Sequence, residues 1–144
     1  MSTPQSYANH TRRQPIFHFV LQPLLLINLI WSGYWLLREP SGLHAQMVLI
    51  AVALELIAFL ARINPLAAQD RVIRLEEQLR YQRVLPADLL QAAERLTPRQ
   101  MIALRFASDA ELADLVRRTL AGQFASPKEI KQAVRTWRAD HLRV

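Results

Sequence analysis

Two long apolar runs dominate the first half of the chain. Residues 16–37 contain no charged side chain, and residues 43–61 contain a single one, Glu55. At a rise of about 1.5 Å per residue these helices would reach about 33 Å and 28 Å, close to the roughly 30 Å of a bilayer core. Only residues 38–42 separate the two runs. We therefore predict an antiparallel transmembrane hairpin. A buried helix pair in a soluble protein is the alternative, disfavoured by the length and apolar character of the first run.

The distribution of basic residues predicts how the hairpin is oriented. Arg12 and Arg13 precede the first span, whereas the connecting loop carries only Arg38. Five arginines follow the second span: Arg62, Arg71, Arg74, Arg80 and Arg83. Because loops rich in Lys and Arg stay on the cytoplasmic side, both termini should be cytoplasmic, including the arm of residues 1–15. A cleaved signal peptide is not expected, because the first run is longer than the apolar part of such peptides.

After the second span the pattern becomes amphipathic. Asn64 and Pro65 are typical of a helix start, and residues 64–84 predict one helix. Val72, Leu75 and Leu79 share one face of it, here called the seam. The seam could pack on the membrane, on its own domain or on a second copy. The helix also carries two acid-before-base pairs at i,i+4 spacing, Asp70–Arg74 and Glu76–Arg80.

Residues 86–144 predict a small basic domain of short helices. Its helix starts are marked by three capping boxes, Thr97 with Gln100, Ser108 with Glu111 and Ser126 with Glu129. Ile130, Val134 and Trp137 are spaced as an apolar stripe of the last helix. The complete fold prediction is all-α: a transmembrane helical hairpin, a long amphipathic helix and a small cytoplasmic helical domain.

The composition and the absence of known motifs limit which functions the protein can have. The chain has no cysteine, which excludes disulfides and thiol nucleophiles. The sequence also lacks a Gly-rich phosphate loop and the common hydrolase and metalloprotease motifs. We therefore predict that the protein is not an enzyme, with no catalytic residue, no cofactor and no metal. The net charge of +6 suits contact with anionic lipid, nucleic acid or an acidic partner. No helix-turn-helix spacing can be marked out, so nucleic acid is not the expected partner.

Glu55 is the most informative residue in the spans, because a carboxylate at membrane depth is costly unless it is protonated, paired or facing a cavity. Matching the two runs antiparallel places Glu55 level with Gln22 and Pro23. The Phe19 carbonyl lies nearby and lacks its usual helix hydrogen bond, because Pro23 has no N–H to donate. We expect a contact that holds the hairpin or an oligomer together, with a proton or ion site as the alternative. Asn28 has no evident partner within one hairpin, and we expect it to meet its counterpart across a dimer.

Several stretches, which lie almost entirely outside the spans, resemble a known family. They lie at residues 7–19, 69–81, 103–112, 129–131 and 137–144, and the most specific are Arg105-Phe106-Ala107-Ser108-Asp109 and the closing Arg143 and Val144. They resemble a bacterial two-span membrane-protein family known only as a domain of unknown function. The resemblance implies a location in the bacterial cytoplasmic (inner) membrane, and it brings no activity.

The resemblance also directs attention to the cytoplasmic face. Two segments with matching residues meet there in a hairpin, and their polar side chains define a predicted juxtamembrane cluster: Asn9, His10, Arg12, Asp70, Arg71 and Arg74. We expect Asp70 to pair with Arg12 or Arg74. The cluster would tie the N-terminal arm to the long helix, or alternatively bind a lipid head group or a partner.

These observations predict a non-enzymatic accessory or scaffold protein. Its expected partners are membrane lipids and either further copies of itself or the other subunits of a membrane complex. Two alternatives remain, a membrane-tethered regulator that binds nucleic acid and a proton- or ion-linked role at Glu55.

Overall fold

The computed structural model describes residues 5–9 and 14–140, and these are all-α. The helices are α1 Gln22–Arg38, α2 Gly42–Val84, α3 Ala87–Ala93, α4 Pro98–Leu104, α5 Asp109–Leu120 and α6 Pro127–Ala133. No β-strand is present in this part of the chain. The described residues form two compact units, here called the hairpin unit (residues 14–66) and the C-terminal unit (residues 5–9 and 67–140). The predicted all-α class is therefore confirmed.

The hairpin unit consists of α1 and the first part of α2, which run antiparallel. Near the connection the ring of Trp35 stacks on that of His44, with centroids 6.1 Å apart. Farther along, Gln22 lies beside Glu55. Small side chains fill the contact between the helices: Ser32, Ala51 and Ala58 are buried. Small residues let two helix backbones approach closely, as is common in membrane helices. The helical stretch Ile16–Arg38, which includes α1, and helix α2 are each long and apolar enough to cross a membrane.

A π-helical turn, Ile16–Leu21, leads into α1. Pro23 explains this turn, because its ring has no N–H to donate and crowds the carbonyl of Phe19, four residues before it. The wider turn accommodates this, and the N–H of Gln22 bonds to the carbonyl oxygen of Phe17, five residues back. Such turns are rare and often lie at functional positions. Here the turn ends at Gln22, the residue that contacts Glu55.

Helix α2 differs from the sequence prediction at Pro65. A new helix was predicted to start there, but α2 is continuous from Gly42 to Val84 and contains Pro65. An Asn-Pro pair looks the same in sequence whether it starts a helix or lies inside one. Pro65 removes a single hydrogen bond, to the carbonyl of Ala61, and a helix of this length continues past the gap.

The C-terminal unit is built around one apolar core. Its most completely buried large side chains are Phe106, Leu104, Leu112, Leu115, Ile130 and Val116. Helix α4 packs against α5 and α6, and α3 packs against α5. Tyr81 near the end of α2 and Leu85 just after it join this core. Burial of these apolar surfaces is the main stabilising term of the unit.

The capping boxes were predicted well. Thr97 with Gln100 and Ser108 with Glu111 form complete boxes at the starts of α4 and α5. At α6 the Ser126 hydroxyl accepts from the N–H of Glu129, while the Glu129 carboxylate reaches the N–H of Ala125. In this third box the Glu129 side chain therefore accepts from the residue before the N-cap and not from the N-cap residue Ser126 itself.

The predicted apolar stripe on the last helix is wrong at its end. Helix α6 stops at Ala133, Val134 is extended, and Trp137 forms an isolated antiparallel bridge with Ala107. Two hydrogen bonds accompany the bridge, from Ser108 N to the Thr136 oxygen (3.1 Å) and from Arg138 N to the Phe106 oxygen (2.8 Å). The Trp137 ring lies 4.7 Å from that of Phe106. Tertiary contacts with the segment before α5 outweigh the helical spacing.

Candidate functional site

The hairpin unit contains one polar contact between its helices. The side-chain amide of Gln22 donates to Oε2 of Glu55 over 2.9 Å. Glu55 lies between Ala51 and Ala58 in sequence, at spacings that place all three on the face of α2 that meets α1. The structure thus brings together Gln22 and Glu55. A bond of this kind joins two helices that otherwise touch through small apolar side chains.

A cavity of about 460 Å³ opens beside this contact. Its lining includes Phe17, Gln22, Glu55, Phe59 and Arg62, so its wall is mainly apolar with three polar side chains. One oxygen of Glu55 accepts from Gln22. The Glu55 carboxylate therefore lies at the boundary between the helix contact and an open space.

Asn28 occupies a different environment. Its side chain is exposed on α1, one helical turn before the buried Ser32. It does not join the contact between Gln22 and Glu55. The structure therefore separates the three predicted intramembrane residues into an interhelical pair and an outward-facing amide.

The juxtamembrane cluster is only partly visible, because His10 and Arg12 lie outside the described residues. The Asn9 side-chain oxygen accepts from the N–H (2.6 Å) and the hydroxyl (3.2 Å) of Ser6 in a local turn. Arg74 Nε reaches the backbone carbonyl of Asp70 at 3.4 Å, so their contact differs from the predicted ion pair with the carboxylate. Arg71 and Arg74 line a groove of about 620 Å³ whose other wall comes from α3 and α4.

The densest polar contact of the C-terminal unit is centred on Arg80. This side chain is 3% exposed and its guanidinium binds three groups. It donates from Nε to Asp109 (2.7 Å), from Nη1 to Glu77 (3.2 Å) and from Nη2 to the carbonyl oxygen of Ala107 (2.7 Å). The predicted pair of Arg80 with Glu76 is wrong. Arg80 instead lies on the buried face of α2, where Glu77 and Asp109 are within reach.

Glu77 shares this buried position at 2% exposure. Its carboxylate accepts from Arg80 and also from Nη1 of Arg138, at 3.0 Å. Removal from water raises the pKa of Glu77 above its ordinary value, and the two arginines oppose that change without cancelling it. We call Glu77, Arg80, Asp109 and Arg138 the ionic cluster. It joins α2, the start of α5 and the segment after α6.

Tyr81 lies next to the ionic cluster with its hydroxyl buried and without a hydrogen-bond partner. Burial raises the pKa of Tyr81, and the nearby Glu77 adds to the effect. A buried hydroxyl without a partner costs free energy, so this group is an exception to the usual rule for native proteins.

A second polar contact holds the end of the described chain. Arg105 Nε donates to the Asp140 carboxylate at 3.0 Å, and its guanidinium lies 4.2 Å from the centre of the Phe106 ring. The Asp140 N–H donates to the side chain of Gln5 at 2.8 Å. These bonds connect the beginning and the end of the described C-terminal unit.

The chemistry available to the ionic cluster is structural. Glu77 accepts from two guanidinium groups, and Arg80 uses all three of its nitrogens. Groups bonded in this way fix the position of a helix, because the loss of one partner leaves a buried charge with fewer groups to compensate it. Within the described ranges, no group of three or more His, Cys, Asp or Glu residues could hold a metal ion.

Sequence reasoning did not identify the ionic cluster. It identified the seam residues Val72, Leu75 and Leu79 and left open what they pack against; the structure exposes them by 53%, 61% and 60%, so they do not form the face that packs on the protein's own domain. The buried face carries Ile73, Glu77 and Arg80 instead, together with Tyr81. A signal was available, because Ile73, Glu77 and Tyr81 recur every four residues. Two charged residues on that face concealed it.

Comparisons with known proteins complete these observations. Neither the curated proteins nor the solved structures include a match to this chain. One family model matches residues 1–144, with the description "Family of unknown function (DUF6526)". The chain therefore belongs to this family of unknown function, as its resemblance in sequence implied.

Proposed function

We propose that the chain is an integral protein of the bacterial cytoplasmic membrane, with both termini in the cytoplasm, that acts as a non-enzymatic scaffold or accessory protein. The observation that carries this proposal is the apolar exterior of the hairpin unit. Leu37 is 85% exposed, Ile16 77% and Leu49 69%. Apolar surface in water costs about 25 cal/mol per Å², and contact with lipid removes that cost. Together with the basic residues that flank the two helices, this supports a two-span topology.

Introduced cysteines test the topology directly, because the chain has none of its own. Glu39→Cys lies between α1 and α2, and Arg99→Cys lies on an exposed position of α4. A membrane-impermeant maleimide should label Glu39→Cys in intact spheroplasts, and Arg99→Cys only after permeabilisation. Recovery of the protein in a carbonate-washed supernatant, or the opposite labelling pattern, would exclude the proposed topology.

The C-terminal unit supports a scaffold role through how its charges are arranged. Its buried charged groups have internal partners, Glu77 and Arg80 within the ionic cluster and Arg105 at Asp140, and its large exposed apolar residues form the seam. Exposed apolar patches of this kind are typical of surfaces that bind other proteins. The test is purification of tagged protein at native expression level in a mild detergent, with the particle mass and co-purifying proteins measured together. A stoichiometric partner or a defined homo-oligomer supports the proposal, whereas a monomer with nothing bound contradicts it.

Asn28 favours self-association over an isolated hairpin. An exposed amide in a lipid-facing position lacks hydrogen-bond partners, and pairing with the same residue of another copy would supply them. Asn28→Leu should then reduce the homo-oligomer in mild detergent, whereas Ile27→Leu on the same helix should not.

A proton-linked role at Glu55 is the second candidate, favoured by the cavity beside its carboxylate. Its test is proton flux into proteoliposomes that contain the purified protein and a trapped pH indicator. Flux that is lost in Glu55→Gln while assembly is retained would support this role. Equal flux in the variant and in empty vesicles would remove it.

Nucleic-acid binding is not proposed, because several basic side chains of the C-terminal unit have internal partners. Arg80 and Arg105 are buried, and Arg118 contacts Asp114, Gln123 and the ring of Phe124. Phosphate recognition needs basic side chains that are free to reach the backbone. Salt-dependent binding of duplex DNA by the purified protein would overturn this position.

A further inference from the structure

The exposed seam of α2 lies away from the face that packs into the C-terminal unit, although Leu75 borders the groove beside α3 and α4 and Leu79 borders a second groove beside Arg138. Val72, Leu75 and Leu79 are exposed, whereas Ile73, Glu77 and Arg80 are buried. Spacings of three and then four residues place the seam side chains at alternating core positions of a heptad. A β-branched residue followed by leucine at these positions favours two strands over three or four.

Charged residues flank the seam in a complementary arrangement. With Val72 and Leu79 at the first core position and Leu75 at the second, Arg71 precedes the seam on one side and Glu76 follows Leu75 on the other. In a parallel pair of helices, the flanking residue before one heptad faces the residue five positions later on the partner. Arg71 of each copy therefore faces Glu76 of the other. Both side chains are exposed, and within the described residues neither forms an ion pair.

The relative direction of the two helices follows from the proposed membrane topology, on which this inference rests. Two copies of one sequence insert into a bilayer with the same orientation, since orientation is set by the flanking charges. Their α2 helices therefore run parallel, which is the arrangement that joins Arg71 to Glu76. Confinement to one membrane also raises the effective concentration of the partner, so a seam shorter than two heptads can associate.

We propose that residues 71–79 of α2 form a parallel two-stranded interface with a second copy of this chain. The seam residues Val72, Leu75 and Leu79 make its apolar core. Two symmetry-related Arg71–Glu76 ion pairs set its register and direction. The partner surface is the same surface on the other copy, as a two-fold interface requires.

Disulfide formation in membranes tests the interface, because an introduced cysteine is the only one in the chain. Leu75→Cys should cross-link under mild oxidation several-fold faster than Asp70→Cys, which is also exposed on α2 but lies outside the seam. The core residues of a parallel two-fold pair face each other, and their Cβ atoms are close enough for a disulfide. Equal rates at the two positions would overturn the proposal.

Charge exchange in the Leu75→Cys protein tests the register. Arg71→Glu converts two attractive pairs into two repulsive ones, each worth a factor of about two to three, so cross-linking should fall about four- to ninefold. Glu76→Arg should do the same, and the double exchange should restore the original rate. A double variant that remains as slow as the single ones would contradict the assigned pairs. Both sites are exposed, so thermal unfolding should be unchanged in all three.

The topology experiment separates this inference from the function on which it rests. Membrane-embedded protein with correct loop labelling but no preferential Leu75→Cys cross-link would leave the proposed function standing and reject the interface. Protein outside the membrane would reject the proposed function. Cross-linking in that soluble fraction would then decide the interface independently.

Discussion

Arg80 of α2 donates from Nη2 to the backbone carbonyl oxygen of Ala107 over 2.7 Å, joining two residues that are 27 positions apart in the chain. Ala107 precedes α5, and its other neighbour across the isolated bridge is Trp137. One buried guanidinium therefore holds the end of α2 against the segment on which α5 and the residues after α6 are also fixed.

Replacing Arg80 with Met should destabilise the C-terminal unit by about 3–5 kcal/mol, because Glu77 would stay buried with only Arg138 to compensate its charge. The measurement is thermal or chemical unfolding of the full chain in detergent, monitored by near-ultraviolet circular dichroism. Arg83→Met, at an exposed position on the same helix, is the matched control and should change stability by less than about 0.5 kcal/mol. Equal losses of unfolding free energy in the two variants would show that the ionic cluster does not stabilise the C-terminal unit.

The ionic cluster also predicts how stability depends on pH. The folded pKa of Glu77 is raised, mainly by burial, so the folded state retains a proton that the unfolded state releases. The stabilising contribution of Glu77 is therefore complete below its ordinary pKa and is lost as pH rises through the raised one. The difference in unfolding free energy between the protein and Glu77→Gln should fall with pH across that window. A difference that is constant or rises with pH would contradict the direction of the pKa change.

Tyr81→Phe should leave the C-terminal unit unchanged or stabilise it by up to about 1 kcal/mol. The hydroxyl is buried without a partner, so its removal avoids a desolvation penalty and leaves the packed ring in place. The melting temperature of the full chain measures the effect. Tyr81→Leu, which changes the packed volume, provides the comparison and should be destabilising. A loss of more than about 1 kcal/mol in Tyr81→Phe would mean that the hydroxyl has a bonding partner in solution.

Glu111 performs two tasks with one carboxylate. It closes the capping box by accepting from the N–H of Ser108, and it also accepts from the N–H groups of Arg135 and Thr136. Glu111→Ala should therefore cost about 2–3 kcal/mol, more than the loss of a cap alone. Asp114→Ala on the same helix removes only an exposed pair with Arg118 and should cost under about 0.5 kcal/mol. Similar melting temperatures for the two variants would refute the double role.

Glu55→Leu should weaken the hairpin unit, because it removes the acceptor for Gln22 and leaves that amide without its interhelical bond. Hydrogen bonds between membrane helices contribute about 0.6 to 2 kcal/mol, so a moderate loss is expected. Glu55→Gln can still accept from Gln22 and is the control. Resistance to denaturing detergent and thermal stability of the purified protein measure the effect. Unchanged values in Glu55→Leu would show that the bond does not support the packing.

Two features of α2 show what the local sequence pattern can and cannot predict: the pairing of Glu55 with Gln22, and the choice of the buried face over the seam. The register of a short hairpin follows from its loop length, so the residues level with Glu55 can be predicted from the sequence. The face of α2 that is buried in the C-terminal unit cannot. Its choice depends on partners in α5 and after α6, which lie about thirty and sixty residues away in sequence.

Sequence alone determined the all-α class, the two apolar helices, the capping boxes at Thr97 and Ser108, and the family, because each depends on residues within a few turns of one another. Tertiary structure decided the features that depend on distant contacts. It turned Arg80 away from Glu76 toward Asp109 and Ala107, ended α6 before Trp137 and left the seam exposed. For Arg80 and Trp137, a local preference worth a few tenths of a kcal/mol was outweighed by burial or by charged hydrogen bonds worth several times more.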